Sequence, residues 1–204
     1  MSGFFSWAMV GLGLGVVMVR RRSMAVGLIT LQSLAIVALA LREAREAQDL
    51  IAAAGIAARA VVLAIVFLLL ISRTREARAV LPSLAPLRRG GLAVVLALGL
   101  IWLLSGSGSG PCADDHGRAA ISLIAFGLVT SASHRATVFQ ILGIVLVENG
   151  LALVVLSMPG TSWLIELGVA FDLTLLGLVA GVFHERIFVE FGGGDTRVLR
   201  SLRD

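Results

Sequence analysis

HRATVFQILGIVLVENGLALVVL, residues 134–156, decides how the rest of the chain is read. It is long enough to cross a lipid bilayer, which takes about 20 predominantly apolar residues, yet Glu148 lies near its middle. An ionised side chain at the centre of a bilayer costs at least about 2.5 kcal/mol. An acid in that place therefore implies a use. Gln140 stands eight residues before it, while Asn149, the only asparagine in the chain, and Gly150 follow it directly. The next apolar stretch, residues 161–183, adds Glu166 and Asp172.

The composition agrees with a chain that lives in lipid. Of 204 residues, 58% are hydrophobic and 15% charged, and the mean hydropathy is +0.97, values expected of an all-α, polytopic integral membrane protein. The net charge of +4 comes from 17 basic residues that are all arginine and are scattered between apolar runs. Without a basic stripe interleaved with aromatics, nucleic acid is a poor partner. The absence of lysine and tyrosine is read as the coding bias of a GC-rich bacterium. Cys112 is the single cysteine, which excludes an internal disulfide and a thiolate cluster held by this chain alone. No cofactor, metal or catalytic residue is expected, and the chain is not expected to be an enzyme by itself.

Seven apolar runs appear, at about 2–19, 23–41, 50–72, 90–104, 118–133, 137–157 and 161–183, with all four prolines between them. Arg20, Arg21 and Arg22 follow the first run instead of preceding it, so residues 2–19 are expected to remain as a helix and not to be removed as a leader. Alternate connections hold thirteen arginines against three, with Arg59 inside the third run. Because positive residues prefer the cytoplasmic side, this predicts an outer amino terminus, a cytoplasmic carboxyl terminus and seven crossings of the bacterial inner membrane. The expected organisation is a four-helix module over 1–104, a flexible Gly/Ser-rich outer loop over 105–117, a three-helix module over 118–191 and a cytoplasmic tail over 192–204. In the outer loop, Asp114 and Asp115 read as solubilising acids, and His116 with Cys112 falls short of the four ligands of a structural metal site.

The front module reads mostly as scaffold. Gly11 and Gly15, four apart, allow close helix approach. Gln32 suits either a polar path or a hydrogen bond to a neighbouring helix. Arg59 lies ~14 Å past the polar sequence ending at Asp49, where it either snorkels outward or pairs with a buried acid and holds it ionised. In the back module, helix rise puts Glu148 about 18 Å from the cytoplasmic end and Asp172 about 16 Å from the outer end, both near the midplane. Chains of intramembrane Asp and Glu serve proton relays; Glu166 either snorkels outward or serves as an outer entry group. His134 and His184 are candidates for the cytoplasmic mouth.

The run from Ser133 through Glu148 to Leu156, followed by FDLTLLGLVAGVFHERI at 171–187, resembles the K subunit of respiratory complex I: three helices, a basic inner turn, then one acid on each of the last two. Gln140, the Glu148-Asn149-Gly150 triplet, four preceding helices and the ending DTRVLRSLRD more closely resemble hydrogenase 4 component E, the K-like subunit of membrane-bound group 4 hydrogenases and formate hydrogenlyases. Asp172 stands where complex I has Glu. The resemblance implies a non-catalytic subunit among antiporter-like partners, with Glu148 and Asp172 linking their half-channels. A multi-subunit cation/proton antiporter, whose C component is also K-like, and a packing scaffold are the alternatives.

Overall fold

The computed structural model describes residues 2–44, 47–73, 85–105, 112, 114–134, 136–157, 177 and 181. These residues fold into six helices: α1 (Ser2–Met18), α2 (Arg22–Glu43), α3 (Ala47–Arg73), α4 (Pro86–Leu104), α5 (Asp115–Ser133) and α6 (Thr137–Ser157). The first six apolar runs of the sequence each correspond to one helix. The seventh lies outside the described residues except for Gly177 and Gly181, and Glu166, Asp172 and His184 lie outside them as well.

Two helix starts differ from expectation for local reasons. Pro86 opens α4 at a position where a missing N–H costs nothing, so the helix begins before residue 90 and takes Arg88 and Arg89 into its first turn. Asp114 is a cap as well as an exposed acid: its side chain accepts the Gly117 N–H at 2.9 Å, starting α5 at the next residue. An N-cap of this kind contributes about 0.5–2 kcal/mol.

α5 forms the centre, packing against α6, α1 and α4, while α2 packs against α1, α3 and α6. The helices alternate in direction. Ser6 Oγ of α1 and His116 Nδ1 of α5 are 2.8 Å apart, so those two helices start together. Arg89, at the start of α4, reaches the far ends of both, at Met18 and His134. The two halves of the chain thus pack against each other.

Backbone meets backbone between α5 and α6. A Cβ on Gly150 would stand 2.7 Å from the Ala120 carbonyl oxygen, and one on Gly143 would strike the Ser131 hydroxyl and lie 2.6 Å from the Gly127 carbonyl. Only glycine permits that approach. In α1 the buried contact falls on Gly13, against Leu123, Gln32 and Phe126, with Gly15 touching Leu28; Gly11 has nothing within 4 Å. The expected Gly11/Gly15 packing pair is therefore displaced towards Gly13.

Large apolar side chains lie on the surface, and several polar and charged ones lie inside an otherwise apolar core. Trp102 is 80% and Leu87 79% exposed, and Phe4, Val95 and Leu103 are also at the surface, whereas Gln32, Arg59, Arg89, His134, Glu148 and Asn149 are buried. Charged residues are almost never buried unless paired, and large apolar surfaces mark contact with lipid or protein. Among the described residues, α2 over Arg22–Arg42 and α4 over Pro86–Leu104 are long and apolar enough to cross a membrane; Gly3–Met18 and Val138–Val154 form shorter apolar helices.

Candidate functional site

Three helices bring their mid-lengths together. Gln32 is ten residues into α2, Arg59 twelve into α3 and Glu148 eleven into α6, or about 15, 18 and 17 Å from their helix starts. Arg59 Nη2 donates to Glu148 Oε2 in an ion pair. The pair is sealed: Arg59 is 7% and Glu148 2% exposed. Of the two readings of Arg59, the geometry shows the paired one.

Asn149 extends this pair into a network. Its Oδ1 lies 3.5 Å from the same Nη2 of Arg59. Its amide nitrogen donates to Gln32 Oε1 at 2.8 Å and faces Ser33 Oγ at 3.4 Å. Gln32 in turn donates to the Met9 carbonyl at 2.9 Å, so α1, α2, α3 and α6 share one line of polar contacts. A buried network holds its helices in one arrangement when its members are satisfied. One acceptor lacks a partner among the described residues, Glu148 Oε1. The gap between Ser33, Ile36, Ile56, Arg59, Ala60 and Asn149 has essentially no volume open to a water molecule.

Gln140 and His134 lie apart from this site. Gln140, half-buried, donates to the His134 carbonyl at 3.3 Å, two turns of α6 away from Glu148. His134 is buried at the end of α5, stacked on Phe139 with ring centroids 4.1 Å apart. Arg89 Nη1 contacts its Nε2. A guanidinium only donates and a carbonyl only accepts. His134 Nε2 must therefore be the bare nitrogen, and Nδ1, 3.1 Å from the Thr130 carbonyl, must carry the hydrogen. Burial first, and then the Arg89 charge, push the His134 ring down to about 4, against the opposing pull of the Thr130 carbonyl. Near neutral pH it is thus an acceptor for Arg89 and carries no proton of charge. Arg89 itself, 0% exposed, was legible in the sequence only as one more inner-loop arginine.

Gly177 approaches α3: a Cβ there would stand 3.8 Å from Leu63, one turn along from Arg59. Among the described residues, no group of three or more His, Cys, Asp or Glu side chains is placed to hold a metal ion. Fold and site together define an all-α protein with an apolar exterior and a buried acid–base pair at mid-height. Comparison of the chain with protein-family models, curated proteins and solved structures gave no match.

Proposed function

We propose that this chain is a membrane-arm subunit of a complex I-like, redox-driven ion pump of the hydrogenase 4 type. It crosses the bacterial inner membrane seven times and contributes buried carboxylates to proton translocation between antiporter-like subunits. The observation that carries this reading is the Arg59–Glu148 pair, held at mid-height in a helical protein whose outside is apolar. Replacing a buried ion pair by apolar residues of similar volume is often neutral or stabilising, so packing alone gives little reason to keep one. A carboxylate with one oxygen on a guanidinium and the other without a partner among the described residues keeps a lone pair that a proton can take. Asp172 on the seventh run is the proposed next acid, and Glu166 the outer entry.

The test uses the assembled complex in sealed vesicles, with Glu148→Gln and Asp172→Asn made separately. Each variant is expected to assemble, to retain electron transfer and to lose ion pumping. Unchanged pumping in both would leave a packing role. Pumping that needs no electron donor but follows an imposed cation gradient would instead identify an antiporter subunit.

A further inference from the structure

We infer that Arg59 is a selectivity device, making the Glu148 site one that takes a proton and refuses a sodium ion. The inference rests on the reading of Glu148 as an ion-carrying group. Hard metal cations take about six or more oxygen ligands, and sodium makes the same kind of demand. Apart from Glu148 Oε1, the side-chain oxygens of this network already face N–H donors among the described residues. Glu148 Oε2 and Asn149 Oδ1 face Arg59 Nη2, while Gln32 Oε1 and Ser33 Oγ face the Asn149 amide. Among the described residues, Ile36, Ile56 and Ala60 add only apolar side chains to the walls, and no hydrated ion fits between them. The position a metal cation would occupy is held by a guanidinium of the same charge.

A proton asks for less, a single lone pair. Glu148 Oε1 is buried and supplies one that nothing else uses among the described residues. When a proton bonds there, the carboxyl becomes neutral and the site charge rises from zero to plus one. Arg59 then has a second seat, because Asn149 Oδ1 is 3.5 Å from the same nitrogen and is held in aim through Gln32 and Ser33. Loss of the proton restores the starting pair and leaves the arginine in place.

The experiment measures proton pumping by the whole complex in vesicles, in sodium chloride and in choline chloride. In parallel, dicyclohexylcarbodiimide, which attacks protonated buried carboxyls, is used to modify Glu148, with mass spectrometry as the readout. Both rates are expected to be the same in the two salts. In Arg59→Gln, sodium is expected to protect Glu148. A cation at ten times its Kd would slow modification by about tenfold. Sodium protection or sodium-dependent pumping in the unaltered complex, where Glu148→Gln does not pump, would overturn the selectivity while sparing the proposed function. Normal pumping by Glu148→Gln would overturn both. Absence of sodium protection in Arg59→Gln, or in Arg59→Met where the first variant does not assemble, would overturn the role of Arg59.

Discussion

Arg59 and Glu148 each neutralise the other, so removing one is worse than removing both. Arg59→Met alone leaves a buried carboxylate without its cation and is expected to cost about 3–5 kcal/mol. Adding Glu148→Gln to it should recover much of that loss, as read from unfolding midpoints in detergent. At the other cluster, linkage fixes the sign of a pH effect. His134 binds a proton near 6.5 when unfolded and only near 4 when folded, so below 6.5 the unfolded chain holds more protons. Stability contributed by neutral His134 is complete above pH 6.5 and falls as pH drops towards 4. His134→Gln should flatten the unfolding midpoint across that window, and an unaltered slope would show that the ring titrates normally.

Between elements, the tightest joint is the glycine contact of α5 and α6. Gly143→Ala places a methyl against the Ser131 hydroxyl and the Gly127 carbonyl and should cost about 1–3 kcal/mol, as overpacking does. Gly55 in α3 has nothing within 4 Å, so Gly55→Ala should instead stabilise by about 0.5–1 kcal/mol through the helix backbone. Comparing the two unfolding midpoints separates glycines that pack from glycines that merely sit in helices. The order of the first six helices was readable because apolar length alone carries it. The place of Glu148 near the middle of its helix was readable too, since helix rise converts residue count into distance. Which helices touch was not, because a helix apolar on every side gives no period that points to its neighbour. Arg59 therefore stayed open between two readings, and Gln32 between a path and a bond. Arg89 differs for another reason: the fourth apolar run begins after it, whereas Pro86 starts the helix before it.

For the whole molecule, the alternating helices make sidedness testable with two introduced thiols in a Cys112→Ala background. Arg21 and Ser105 are exposed at opposite ends. Arg21→Cys is expected to react with an impermeant thiol reagent only after cells are opened, and Ser105→Cys in intact cells. Reaction of both in intact cells would reject the proposed orientation. The wedge formed by Arg89 also bears on how such a chain is born. Its ring acceptor on His134 lies 45 residues further along, which at about 5–20 residues per second takes a ribosome roughly 2–9 s to make. During that wait a guanidinium destined for complete burial has, among the described residues made so far, the Met18 carbonyl to lean on. The fourth helix is thus made before the fifth can cover its buried charge, and the arrival of the fifth completes that contact.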